Sequence, residues 1–143
     1  MGRTKFHRKD LLKSLTEIFS DVSRNVFVTN RPESVEDEMK NFIVVSIPST
    51  IYERRAYQDT YCRIEVFARN RKNGMEATDV LDTMQQAVID KFPLSNKLFS
   101  AISPRLLPGG NDGLGFHCLI IQAKMTIKSV SYTHLRAHET VLD

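Results

Sequence analysis

Few side chains in this chain have the types and spacing of a nucleophile and its base. Cys62 and Cys118 are the only cysteines, and His117 directly precedes Cys118. A thiol beside an imidazole can act as an activated nucleophile. Both cysteines, however, lie in apolar, strand-like runs outside any CxxC pattern, which is typical of reduced thiols that pack as small hydrophobes. We therefore expect two buried thiols, with a disulfide between neighbouring strands as the less favoured alternative.

Acidic side chains crowd one short segment of the chain. They are Glu33, Glu36, Asp37 and Glu38. Carboxylates can hold a divalent cation, but carboxylates adjacent in sequence usually form a solvated patch. Residues 108–115 (PGGNDGLG) are rich in glycine, yet they lack the lysine of a phosphate loop and precede a strand pattern instead of a helix. The sequence therefore predicts no enzyme, no metal site and no cofactor.

Two groups of cations have the charge that phosphate binding requires. They are Arg3, Lys5, Arg8 and Lys9 at the N-terminus, and Arg69, Arg71 and Lys72 after a predicted strand. The whole chain carries 20 basic and 17 acidic side chains, a net charge of +3, which is ordinary for a soluble domain. Short basic loops are mostly solvated turns, but a small nucleic-acid-binding module remains the alternative function.

Aromatic and cationic side chains alternate closely between two predicted strands. They are Tyr52, Arg54, Arg55 and Tyr57. Tyrosine and arginine are enriched at the energetic centres of protein interfaces. The alternative is an ordinary strand whose amphipathic side chains lie along the sheet. We predict these four residues to form a contact with another subunit or with a partner.

Two amphipathic helices and a long strand can be read from side-chain periodicity. Residues 60–69 alternate as a half-buried strand does, residues 70–74 contain turn formers, and residues 75–92 carry an apolar stripe at helical spacing. A similar stripe predicts a first helix over residues 10–22. Residues 33–40 are weakly patterned and favour a loop or a single helical turn.

The other strands are predicted from apolar runs and alternation. The predicted elements are a short strand at 26–28, an apolar strand at 42–47 with both faces covered, a strand at 98–107 edged by Pro104, a flexible loop at 108–115 and a last strand at 116–128. Residues 42–69 then form a long hairpin. We predict an α+β, two-layer domain: a mostly antiparallel sheet of four to five strands with two amphipathic helices on one face.

The last fifteen residues are excluded from this fold. Residues 130–140 (VSYTHLRAHET) resemble one translated frame of a sequencing adaptor, so residues 129–143 are interpreted as a non-native tail. His134 and His138 have the spacing of metal ligands on a helix, but they lie in this tail and are not interpreted as a site. We expect one domain over residues 1–128. The sequence has no secretion signal and no run of about twenty apolar residues, so no membrane partner is expected.

The order of these elements resembles that of the tail terminators of long-tailed phages, also called tail-completion or head–tail joining proteins. The resemblance covers nearly all of residues 8–128, and the passage YCRIEVFARNRKNGMEATDVLDTMQQAVID, from strand through polar loop to helix, is the closest match. It rests on element order and pattern, without an invariant motif. Neck and minor capsid proteins share parts of the pattern.

The resemblance implies a non-enzymatic ring, commonly a hexamer, that caps the tail tube. Such a ring stops tube growth and joins the tail to the head connector or neck protein, at the tail–head junction of a virion made in the bacterial cytoplasm. The implied partners are other copies of the chain, the tail tube protein and the head connector, with passing contact to genomic DNA. Tyr52, Arg54, Arg55 and Tyr57 would contact a subunit or the tube, and Arg69, Arg71 and Lys72 would face the lumen.

Overall fold

The protein is described by a computed structural model, which covers residues 8–48, 52–53 and 57–128, with side chains at 8–48 and 59–128. Over these residues the fold is α+β, as predicted. The two helices are α1 (Arg8–Phe19) and α2 (Thr78–Ile89). The seven strands are β1 (Val26–Val28), β2 (Asn41–Ser46), β3 (Tyr52–Glu53), β4 (Tyr57–Arg69), β5 (Leu94–Ser95), β6 (Phe99–Asn111) and β7 (Phe116–Lys128).

All seven strands belong to one sheet. Its order is β1-β2-β4-β7-β6-β5, and β3 pairs with β4. The pair β1–β2 is parallel, and the other pairs are antiparallel. The prediction of four to five strands was therefore too low. The strands it missed, β3 and β5, have two residues each, which is too short for an alternating pattern to be recognised.

The main core lies between both helices and one face of the sheet, which we call the helix face. Leu15 and Phe19 of α1 and Leu81 of α2 pack against fully buried strand residues such as Ile64 and Ile121. Burying one such aliphatic side chain stabilises the fold by about 1.5–3 kcal/mol. The prediction that both helices cover the same face is confirmed.

A second, smaller core lies on the opposite face. Its buried residues are Phe42, Val44, Phe67, Phe116 and Cys118. The irregular connection between β1 and β2 covers this cluster with Val35 and Met39. Strand β2 is thus buried on both faces, as its continuous apolar run predicts.

The prediction of a flexible loop at 108–115 was wrong for residues 108–111, while residues 112–115 do form the connection between two strands. Strand β6 continues through Pro108 to Asn111, with irregularities in its register at Ile102/Arg105 and Pro108/Gly110. Bulges on an outer strand accommodate proline and glycine, because the strand need not donate every N–H to a neighbour. Gly109 is also required sterically, since a Cβ there would lie 2.7 Å from Sγ of Cys118.

Both helices are shorter than their apolar stripes predicted. The first ends at Phe19 instead of Val22, and the second spans Thr78–Ile89 instead of residues 75–92. Met75 is exposed in the connection before α2, and the N–H of Phe92 bonds the carbonyl of Ile89 in a turn. Apolar side chains that pack beside a helix end extend the periodic pattern beyond the helix itself.

Candidate functional site

The two cysteines lie on opposite faces of the sheet. Cys62 is buried in the main core and Cys118 in the smaller one, and both are free thiols. Burial raises the pKa of each thiol to about 12, and for Cys118 the charges of Glu65 and Asp112 add to the effect. The expectation of two reduced, buried thiols is confirmed, and both remain protonated at neutral pH.

His117 is not positioned as a base for either cysteine. It neighbours Cys118 in β7, and successive side chains of a strand point to opposite faces. Its Nδ1 lies 2.5 Å from Oδ1 of Asn70. In the strand register His117 faces Ala68, far along β4 from Cys62.

The acidic segment lies at the protein surface. The side chains of Glu33, Glu36, Asp37 and Glu38 are all exposed. Among the residues that the structure describes, no group of three or more His, Cys, Asp or Glu side chains is placed to hold a metal ion.

The three cations of the basic loop have different environments. Arg69 donates from Nε to the carbonyl of Met39 at 2.9 Å and from Nη2 to that of Glu36 at 3.1 Å, and its guanidinium lies 4.7 Å from the ring centre of Phe116. Arg71 forms an exposed ion pair with Asp79, which lowers the pKa of that carboxyl. Lys72 is exposed in a 3-10 turn (Lys72–Gly74).

Arg69 therefore has a structural role that sequence patterning did not anticipate. Its two backbone hydrogen bonds tie the connection between β1 and β2 to the sheet. Arg71 and Lys72 are the exposed cations of the predicted lumen-facing set.

The predicted interface at the hairpin tip lies mostly outside the described residues. Arg54 and Arg55 are outside them, and only the backbones of Tyr52 and Tyr57 are described. Tyr52 lies opposite Asp59 in the β3–β4 pair, and Tyr57 lies opposite Lys128 in the β4–β7 pair. The role of these four residues as a contact surface stays a prediction.

The structure reveals a surface that the sequence did not single out. On the opposite face, beyond the aromatic cluster, a mixed apolar and polar area has no helix over it. We call it the open strip and define it by Arg63, Glu65, Ile102, Leu107, Ile120 and Gln122. Ile120 pairs with both Glu65 and Leu107, Gln122 pairs with Arg63, and Ile102 pairs with Lys124, two residues beyond Gln122 on the same face. Ile102 is 50% exposed, and Leu107 and Ile120 are partly exposed.

Polar groups within the open strip are incompletely satisfied. Arg63 donates from Nη2 to Oε1 of Gln122 at 3.2 Å, but its buried Nε has no hydrogen-bond partner among the described residues. Burial raises the pKa of the neighbouring Glu65, an effect that the charge of Arg63 partly offsets. Buried donors are nearly always hydrogen-bonded, so this Nε is a position at which a water or another molecule can supply an acceptor.

The open strip continues to an exposed edge of the sheet. Strand β5 pairs only with Ser100 and Ala101 of β6, so within the described residues β6 has no outer neighbour from Ile102 to Asn111. Leu106 is 51% exposed on the helix-face side of this edge. Pro104 and Pro108 lack N–H donors, and the irregular register interrupts the ladder, so this edge offers apolar side chains more than a continuous set of hydrogen bonds.

Comparisons with known proteins give no family for the chain. No protein-family model matches it, and no curated protein matches it. Within the described residues, neither helix is long and apolar enough to span a bilayer.

Proposed function

We propose that this chain is a non-enzymatic structural protein of a phage particle, which forms a ring that caps the tail tube and joins it to the head connector. The observation that carries the proposal is the open strip with its adjoining edge. Both helices cover one face of the sheet, while Ile102, Leu107 and Ile120 remain accessible on the other. Accessible apolar side chains interspersed with polar groups are typical of protein contact surfaces.

The order of elements also supports the proposal. The resemblance to tail terminators rests on a first helix, a strand, a long hairpin, a second helix and a closing strand pair. The chain has α1, β1, the β2–β4 hairpin, α2 and the β6–β7 pair in this order. An open sheet with two unlike edges suits a heterologous contact, in which each copy uses two different surfaces and a closed rotation produces a ring.

The proposal assigns two further surfaces. Tyr52, Arg54, Arg55 and Tyr57 at the hairpin tip contact a neighbouring subunit or the tube. Arg71 and Lys72 face the lumen through which genomic DNA passes, while Arg69 stabilises the fold behind them. The exposure of Arg71 and Lys72 is consistent with this assignment.

The competing hypothesis is a small nucleic-acid-binding module that uses the N-terminal cations and the Arg69–Lys72 loop. It predicts an affinity for free DNA that falls steeply with salt, because each phosphate contact releases counterions. A ring that keeps its cations in the lumen would bind free DNA poorly.

A pair of surface variants tests the proposal. Ile102→Asp places a charge on the open strip, and Met75→Asp is the matched control because Met75 is 64% exposed outside the open strip. Sedimentation velocity of the unmodified chain and of both variants measures self-association. We expect Ile102→Asp to weaken self-association and Met75→Asp to leave it unchanged. A chain that stays monomeric and binds DNA with a steep salt dependence would contradict the proposal.

A further inference from the structure

A basic groove lies between α1 and the edge strand β1. Leu12, Thr16 and Val28 line it together with the cations Arg8, Lys9 and Lys13. All three cations are exposed, and none of them forms an ion pair within the part of the chain that the structure describes. Its six described lining residues include no carboxylate, so the groove combines an apolar floor with a positive rim.

An acidic segment with the opposite character lies elsewhere on the same chain. Glu33, Glu36, Asp37 and Glu38 are exposed, and within the described residues none of these side chains forms an ion pair. Hydrogen bonds to its backbone carbonyls hold the segment in place. The N–H of Met39 bonds the carbonyl of Glu36 at 3.0 Å, and Arg69 bonds the carbonyls of both residues.

The side chains beneath the segment add to this fixation. Val35 and Met39 pack on the aromatic cluster of the opposite face. The carboxylates are therefore presented outward from an ordered backbone, so little backbone conformational entropy is lost when a partner binds them.

The two surfaces cannot meet within one copy. The groove lies beside α1 on the helix face, whereas the acidic segment covers the opposite face. Val28 at the groove pairs with Val45, but Glu36 and Glu38 lie beside Asn41 at the other end of β2. The separation along β2 alone is roughly 13 Å at about 3.3 Å per residue.

We propose that the acidic segment of one copy docks into the basic groove of the next copy. This inference rests on the proposed ring and identifies one heterologous contact within it. Each copy would offer both surfaces, so every contact leaves one groove and one acidic segment available to continue the assembly. Complementary charges at a contact fix its orientation and accelerate association, and they make it sensitive to salt.

Charge reversal on each surface tests this contact in the full chain. The groove variant is Lys9→Glu with Lys13→Glu, and the segment variant is Glu36→Lys with Glu38→Lys. Matched controls are Lys97→Glu and Asp82→Lys, because both residues are exposed and lie outside the two surfaces. Circular dichroism and thermal melting of each variant establish that it folds.

We expect each double variant alone to associate about tenfold more weakly or worse than the unmodified chain, and the controls to associate normally. An equal mixture of the groove and segment variants should regain assembly. In the mixture each reversed groove meets a reversed segment, and each original groove meets an original segment. Sedimentation velocity at low and at physiological salt measures all of these species.

The possible results distinguish a failure of the proposed contact from a failure of the proposed ring. If both double variants assemble as well as the unmodified chain, or if the mixture does not regain assembly, the contact is wrong while the ring proposal stands. If the unmodified chain does not associate at all, both are wrong. If the groove variant loses binding to DNA or to a different acidic protein but assembles normally, the groove has another occupant and the inference is overturned.

Discussion

The two faces of the sheet are covered by different kinds of structure and bury different kinds of side chain. The helix face is covered by two regular helices over aliphatic side chains such as Leu15, Ile64 and Ile121. The opposite face is covered by an irregular segment over an aromatic cluster, and only over part of its length. The first face buries many more apolar side chains than the second, which leaves part of the sheet uncovered.

A single arginine organises the covered part of the opposite face. The guanidinium of Arg31 lies 5.2 Å from the ring centre of Phe42, 5.8 Å from that of Phe67 and 5.6 Å from that of Phe116. Arg31 also pairs with Oδ2 of Asp112, and the two side chains are only 17% and 11% exposed. Cation–π contacts and the ion pair together compensate for the desolvation of the charge.

Asp112 connects this arginine to the β6–β7 turn. Its Oδ1 accepts the N–H of Leu114 at 2.7 Å and that of Phe116 at 3.1 Å. The connection between β1 and β2 is thereby tied to the far hairpin. An irregular segment thus acquires fixed geometry without a helix or a strand.

The largest expected effect is on the helix face. Ile64→Ala should lower the free energy of unfolding by about 2–5 kcal/mol, because it leaves a cavity in a fully buried site. Urea denaturation followed by circular dichroism measures the change. Leu106→Ala is the control, since its side chain is half exposed and should change stability by less than about 0.5 kcal/mol. Equal losses for both variants would contradict this assignment of the core.

An intermediate effect is expected on the opposite face. Arg31→Ala should destabilise the fold by about 2–3 kcal/mol, because it leaves the carboxylate of Asp112 nearly buried without its cation. The double variant Arg31→Ala with Asp112→Asn should lose less than the sum of the single changes. Additive losses in a double-mutant cycle would mean that the two side chains do not interact.

The smallest expected effect is a pH-dependent increase in the free energy of unfolding when Glu65 in the open strip is replaced. Burial raises the pKa of Glu65 above its value in the unfolded chain. The ionised carboxylate therefore lowers stability above the folded-state pKa, and this cost disappears as the pH falls below the unfolded-state pKa near 4.3. Glu65→Gln should raise the free energy of unfolding slightly at pH 7, because it removes the charge whose burial is unfavourable. The gain should vanish at pH 4, and a gain that grows at low pH would contradict this assignment.

The regular parts of the fold were predictable from the sequence, and the irregular parts were not. Strand β7 begins and ends where its alternation predicted, because alternate side chains from Leu119 to Ile127 face the main core. Strand β6 was cut short in the prediction, since the glycines and prolines that suggest a loop are tolerated at the edge of a sheet. Alternation does not reveal whether a strand is central or at an edge.

The roles of Arg31 and Arg69 and the position of the open strip were harder to predict, because each depends on which strands are neighbours in the sheet. The structural role of Arg31 and Arg69 depends on side chains from β2, β4 and β7 that come together only in the folded chain. From sequence alone, a basic residue in a loop is expected to be solvated. The aromatic rings that these arginines contact are more than seventy residues apart in the sequence, from Phe42 to Phe116. The open strip likewise combines three strands whose neighbours are set by the sheet order.

The solution mass of the full chain shows whether its copies assemble into the proposed ring. Multi-angle light scattering across concentration and salt measures that mass. We expect a discrete species at a fixed multiple of the 16.4 kDa chain mass, and its population should fall as salt rises. A mass of one chain at every concentration and salt would contradict the proposed ring.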